Sequence, residues 1–179
     1  MIILSLDAPG TRLGAYAVCE CEIGTKRVPD HVLEFRCIEF GVEKSEREEL
    51  AALAHLLDQL YKTYHPALLV VEHPFLHVIA QFIGSVKMWA CRKRGLRWYM
   101  INPSQAQKLV FGAALRKKRM TKTGRVVSDS RWKKEQVVQY VRREFHLPKS
   151  LSQHEADAIF YAIAVGEKLR SGDALASRT

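Results

Sequence analysis

The beginning of the chain carries three runs of apolar and β-branched residues, each with the length of a strand. Residues 1–7 form a short Ile- and Leu-rich run that ends in Asp7. Residues 13–23 form the second run, and residues 32–40 alternate polar and apolar positions. Proline and glycine separate the runs and keep the connections short. This pattern predicts an antiparallel meander of three strands.

From residue 45 onward the apolar period changes from that of a strand to that of a helix. Ser45 and Glu48 form a potential capping box, and leucines recur at helical intervals to about residue 64. A continuous apolar run at 67–71 predicts a strand buried on both faces, and Glu72 follows it directly. A further strand is predicted at 97–101, and helices are predicted over 75–94, 102–112, 131–145 and 152–169. This order of elements predicts an α/β fold with a mixed five-stranded sheet, three antiparallel strands followed by two parallel ones, flanked by helices.

A chain of 179 residues has the usual size of one domain, so we expect a single domain over 1–170 and a flexible tail at 171–179. The apolar runs fall far short of the roughly 20 residues that span a bilayer, and the N-terminal run lacks the features of a signal peptide. We therefore expect no membrane contact and a cytoplasmic, nucleoid-associated location.

The four cysteines have no zinc-like spacing, which favours free thiols.

Charge is distributed very unevenly along the chain. Residues 1–86 hold 7 Lys and Arg against 12 Asp and Glu, whereas residues 87–149 hold 18 against 3. Such a basic stretch attracts polyanions, and nucleic acid is the natural partner, although a solvated basic face is the plain alternative. The polar segment 115–130 is interpreted as a mobile basic loop. The candidate DNA-binding cations in and around it are Lys108, Arg116, Lys117, Lys118, Arg119, Lys122, Arg125 and Lys133.

Acidic residues stand where they could converge from three separate segments. Asp7 and Glu72 each follow a buried strand, and His154 and Asp157 lie three residues apart on one face of the last helix. Glu155 lies about 100° around that helix and should point elsewhere. One acidic residue at a strand end is usually only a solvated cap, but two after such apolar strands need something to neutralise them. Converging carboxylates are what two-metal hydrolysis of polynucleotides requires.

Four segments of the sequence resemble the RuvC family of Holliday junction resolvases: LSLDAPGTRLGAYAV, VVEHPF, WKKEQVVQYV and SQHEADAIFYAIA. They follow the family's order and approximate spacing over residues 1–168.

The resemblance implies an RNase H-like fold and a metal site. Asp7 matches the first-strand aspartate that touches both metals, Glu72 matches the glutamate after the fourth strand, and His154 and Asp157 match the paired ligands of the final helix. The implied cofactor is Mg²⁺, two ions per site, with Mn²⁺ as a substitute. Histidine departs from the version with carboxylates alone, and it could bind a metal or position the attacking water.

The resemblance also implies roles outside the metal site. Lys134 matches a lysine that stabilises charge on the phosphate, with Lys133 as a competing candidate. Phe75 matches an aromatic residue that stacks on bases, although a core position would explain it too.

The family forms homodimers, and an apolar stripe on the helix after Glu72 suits either that interface or the chain's own core. The stripe comprises Ile79, Phe82, Ile83, Val86 and Trp89. Packing roles are expected for Trp89, Trp98 and Tyr161, and surface roles for His73 and His77.

The expected function is cleavage of four-way DNA junctions in recombination and repair. A broader nuclease that acts on flaps, forks or RNA–DNA hybrids would use the same site chemistry and stays an alternative. A noncatalytic protein that binds branched DNA would explain the charge, but it should lack one or more acidic ligands, and none is missing. A basic RNA-associated protein would leave the acidic motifs unexplained.

Overall fold

The computed structural model describes residues 1–8, 13–22, 31–39, 45–73, 78–113, 117–121 and 126–171. The main sheet contains β1 (Ile2–Asp7), β2 (Leu13–Glu20), β3 (His31–Glu39), β4 (Leu68–Glu72) and β5 (Arg97–Ile101). Its strand order is β3-β2-β1-β4-β5. The first three strands pair antiparallel, and β4 and β5 continue the sheet in parallel. The predicted mixed sheet is therefore confirmed.

Five helices flank the sheet in the described part of the chain: α1 (Glu46–Tyr64), α2 (Val78–Cys91), α3 (Pro103–Phe111), α4 (Ser130–Phe145) and α5 (Gln153–Arg170). The capping box of Ser45 and Glu48 opens α1 as predicted. Gly112 closes α3 in the left-handed conformation that glycine adopts without steric cost. The helix predicted over 75–94 is observed as α2, and residues 74–77 before it lie outside the described residues.

The sheet is covered on both faces. Helices α1 and α2 pack on one face, where Leu4, Leu6 and Val71 point. Helices α3, α4 and α5 pack on the other, where Ile3 and Val70 point. Because side chains alternate along a strand, Asp7 and Glu72 share the parity of the residues that face α5. Their side chains therefore emerge on the α5 side of the sheet.

The described part of the segment 115–130, predicted to be a loop, contains strands. Within it, β6 (Lys118–Met120) and β7 (Val126–Ser128) form a two-stranded antiparallel sheet. The Asp129 N–H donates to the Lys117 carbonyl at 2.7 Å and extends the pairing. The loop prediction was wrong here. It rested on the charge of the segment and on its glycine, whereas the β-branched residues of β7 favour a strand.

The apolar stripe of α2 belongs to the chain's own core. Phe82, Ile83, Val86 and Trp89 are all buried against the sheet and α1, and the Trp89 indole donates to Asp58 at 2.9 Å. The side chain of Ile79 lies outside the described residues. All four cysteines are free, as predicted. Among the described helices, none is long and apolar enough to cross a membrane.

Candidate active site

The two strand-end carboxylates meet at one edge of the sheet. Asp7 ends β1 and Glu72 ends β4, and these strands run parallel as neighbours with Leu6 opposite Val71. A hydrogen bond joins the carboxyl groups of Asp7 and Glu72. Asp7 is only 5% exposed. Two acidic groups are thus held together, Asp7 buried and Glu72 partly exposed.

Helix α5 brings the other two predicted ligands to the same place. The His154 imidazole and the Asp7 carboxylate are joined by a hydrogen bond of 2.6 Å between Nδ1 and Oδ2. One turn later, Asp157 Oδ2 accepts a hydrogen bond of 3.3 Å from the Gln153 amide. Glu155 points away, as predicted, because its side chain completes the capping box with Ser152. The structure therefore gathers all four predicted ligands.

A buried serine sets the position of α5 against β1. The Ser5 hydroxyl donates to the Ala158 carbonyl at 2.6 Å, across 153 positions of sequence. Ser5 is fully buried two residues before Asp7, and Ala158 directly follows Asp157. This contact links the strand that carries one ligand to the helix turn that carries another, so it favours one register between them.

Burial and mutual repulsion raise the pKa of each carboxyl group in the cluster. Burial, with the charge of Asp157, raises the pKa of Asp7 to about 7. Burial, with the charge and hydrogen bond of Asp7, raises the pKa of Glu72 to about 8. Burial also raises the pKa of Asp157 to about 6. Carboxylates this close resist ionising together, and a bound cation relieves that repulsion.

A lysine on α4 opposes this repulsion. The positive charge of Lys134 acts to lower the pKa values of both Asp7 and Asp157. Lys134 is exposed, so its ammonium group faces solvent beside the acidic cluster. A groove of about 240 Å³ begins there and is lined by Lys134, Glu135, Val138, Gln139, Arg142 and Gln153. Lys134 and Gln153 thus belong both to the groove and to the surroundings of the carboxylates.

Tyr161 does more than the packing predicted for it. Its side chain is 3% exposed and packs in the core, but its hydroxyl also forms a hydrogen bond with Glu72. The signal was present in the sequence, because Tyr161 lies four residues after Asp157 and seven after His154 on the same helix face.

The donor set suits a hard divalent cation. It combines three carboxyl groups, the ligands that suit Mg²⁺ and Mn²⁺, with one imidazole, which is a more usual ligand of transition-metal ions. In the described part of the chain, no group of three or more His, Cys, Asp or Glu side chains is already arranged to hold a metal ion. The groups instead contact one another, as the 2.6 Å bond between Asp7 and His154 shows.

The candidate DNA-binding residues fall partly outside the described residues. Lys108, Lys117 and Lys118 are exposed, and Lys133 is half-buried on α4. Lys117 Nζ lies 5.5 Å from the centre of the Trp132 ring, which ties the start of the hairpin to α4. Phe75, His77, Arg116, Lys122, Arg125 and the side chain of Arg119 lie outside the described residues.

Solved structures similar to this one along nearly its whole length include the following three. A Thermus thermophilus RuvC structure has a TM-score of 0.74 and 18% identity, covering 98% of this chain and 99% of that one. T. thermophilus RuvC in complex with Holliday junction substrate has a TM-score of 0.74 and 19% identity, with 98% of both chains covered. A Fowlpox virus resolvase with its substrate Holliday junction DNA has a TM-score of 0.63 and 17% identity, covering 94% and 99%.

At the level of sequence, no protein-family model and no curated protein matches the chain. The likeness therefore concerns the fold, and the predicted RNase H-like fold is confirmed by the RuvC structures.

Proposed function

We propose that this chain is a structure-selective endonuclease that cuts four-way DNA junctions by metal-assisted hydrolysis of phosphodiester bonds. The observation that carries the proposal is the convergence of Asp7, Glu72, His154 and Asp157 at one sheet edge. The fold in which they converge is shared with two proteins whose structures contain Holliday junction DNA. Fold alone does not establish an activity, so the complete acidic cluster is the essential part of the argument.

The four converging side chains would hold two Mg²⁺ ions, with Mn²⁺ as a substitute. Bound ions would supply activation of water and stabilisation of the leaving oxygen. Burial of Asp7 and Glu72 strengthens their attraction for cations, since little water competes with them. Lys134 stands at the rim of the cluster, where its ammonium group can neutralise charge that develops on the phosphate.

The basic part of the chain would guide DNA to this cluster. Residues 87–149 carry 18 Lys and Arg against 3 Asp and Glu, and the groove beside Lys134 offers amide and cationic groups to a phosphodiester backbone. The predicted cations fit this role: Lys108, Lys117 and Lys118 are exposed. Stacking of Phe75 on unpaired bases remains a prediction.

A homodimer would suit this substrate, because a four-way junction has approximate two-fold symmetry and needs two coordinated cuts. The α2 stripe does not support that assembly, since its described residues are buried within the chain. A protein that acts on chromosomal DNA would work in the cytoplasm near the nucleoid. Gel filtration with light scattering at several concentrations would test the dimer.

Cleavage of four labelled substrates tests the proposed function. These are a synthetic four-way junction, a flap, a linear duplex and an RNA–DNA hybrid, each with and without Mg²⁺. Wild type is compared with Asp7→Asn and with Asp58→Asn, which makes the same chemical change on α1 at the opposite face of the sheet. We expect paired, metal-dependent cuts restricted to the junction, abolished by Asp7→Asn and retained by Asp58→Asn.

Other outcomes would point to the alternatives. Equal cutting of flaps or hybrids would establish a broader nuclease. Tight junction binding without cutting at any Mg²⁺ or Mn²⁺ concentration would refute the enzyme and leave a protein that only binds branched DNA.

A further inference from the structure

Tyr161 extends the functional face of α5 by one turn. His154, Asp157 and Tyr161 lie at positions i, i+3 and i+7, so they project from the same side of the helix. The Tyr161 side chain is 3% exposed, and its hydroxyl forms a hydrogen bond with the Glu72 carboxyl group. It therefore joins the helix that carries two of the predicted ligands to the strand end that carries a third.

The Tyr161 hydroxyl supplies a hydrogen-bond donor at the Glu72 carboxyl group. A phenol hydroxyl can donate its proton to a carboxylate oxygen, which can only accept. Tyr161 is buried and its hydroxyl is hydrogen-bonded to Glu72, so this donor lies inside the acidic cluster.

Two donors hold the Glu72 carboxyl group. One is the Tyr161 hydroxyl and the other is the backbone N–H of Ala8, which directly follows Asp7 in the chain. The bond from Ser5 to the Ala158 carbonyl places α5 one turn before Tyr161 and so constrains the distance that the hydroxyl must bridge. A side chain held from two sides loses little further freedom when it binds an ion.

We infer that Tyr161 is a positioning residue, whose hydroxyl orients the Glu72 carboxylate for binding a divalent cation. This inference rests on the proposed function, because it assigns a role to Tyr161 only if the acidic cluster holds metal. Outer groups that orient metal ligands typically change metal affinity by about 10- to 100-fold when they are removed. Tyr161→Phe keeps the buried ring and removes only the hydroxyl, so we expect a loss of about 10-fold in affinity.

Metal binding without turnover gives the direct test. Titration calorimetry with Mn²⁺, in the absence of DNA, is performed on wild type, Tyr161→Phe and Tyr64→Phe. Tyr64, on α1, is a matched control because its hydroxyl also donates to a glutamate: the bond to Glu34, on β3, is 2.7 Å long. We expect the Kd for Mn²⁺ to rise about 10-fold for Tyr161→Phe and to stay unchanged for Tyr64→Phe. An unchanged Kd in a folded Tyr161→Phe chain would overturn the inference.

A double variant tests whether Tyr161 acts through Glu72. In a Glu72→Gln background the hydroxyl has no carboxylate to orient, so adding Tyr161→Phe should weaken Mn²⁺ binding no further. An equal loss in both backgrounds would overturn the positioning role. Urea unfolding of the Tyr161→Phe variant gives a second check. A chain without a cooperative unfolding transition would show that the hydroxyl maintains the fold, and that result too would overturn the positioning role.

Junction cleavage separates this inference from the proposed function. Tyr161→Phe should raise the Mg²⁺ concentration for half-maximal cleavage about 10-fold, while saturating Mg²⁺ restores most of the rate. A wild type that binds no Mn²⁺ and cuts no junction would overturn both. Alternatively, wild type binds Mn²⁺ and cuts junctions, and Tyr161→Phe depends on metal concentration in the same way. That result would overturn only the role of Tyr161.

Discussion

Replacing Asp7 with asparagine should stabilise the metal-free protein at alkaline pH while it abolishes cleavage. Asp7 is buried beside Glu72 and Asp157, and each of these groups resists ionisation in the folded chain. Because the folded state holds the Asp7 proton more tightly than the unfolded state, wild type should lose stability as the pH rises from 3.8 through about 7. Asparagine has nearly the same shape and does not ionise, so it removes this loss.

The size of the effect follows from the pKa of Asp7. A rise from 3.8 to about 7 corresponds to about 4 kcal/mol of folding free energy lost at high pH. Asparagine forms a weaker hydrogen bond with His154 than a carboxylate does, which costs about 1 to 2 kcal/mol. We therefore expect Asp7→Asn to be about 2 kcal/mol more stable than wild type near pH 9, and slightly less stable near pH 4.

Urea unfolding, followed by tryptophan fluorescence in the presence of a chelator, measures this directly at several pH values. Added Mg²⁺ should then stabilise wild type more than Asp7→Asn, because the ion binds the folded state through the carboxylates. A variant that is less stable than wild type at every pH in chelator would refute the reasoning. So would a wild type whose stability does not change between pH 4 and 9.

Three further perturbations test single contacts, two of them at the site and one on the opposite face of the sheet. Ser5→Ala removes the donor to the Ala158 carbonyl and should cost about 1 to 2 kcal/mol in urea unfolding; an unchanged midpoint would contradict this. Hydrogen bonds from two tyrosine hydroxyls lower the pKa of Glu34 below 4.5, so wild type should lose this stabilisation as the pH falls below 4.5, and Glu34→Gln should not. Lys134→Ala should lower the rate at saturating junction about 100-fold with little change in KM. An unchanged rate would return that role to Lys133.

The main predictions that succeeded depend on local pattern. Strand parity and helical spacing are visible over a few residues, so the ends of β1 and β4 and the pairing of His154 with Asp157 could be predicted from the sequence. The capping box of α1 and the five-stranded sheet could be predicted for the same reason. The hairpin in the basic segment could not, because its two strands have only three residues each and lie among many charged residues, which obscured the pattern.

The sequence by itself thus determined the order of the elements and the faces of the strands and helices, and it singled out four residues that the fold brings together. Tertiary structure alone decided how these faces meet. In the tertiary structure the α2 stripe packs in the core, Ser5 donates to the Ala158 carbonyl, and the Tyr161 hydroxyl forms a hydrogen bond with Glu72. Those contacts depend on the register between segments far apart in the chain, and no local periodicity encodes that register.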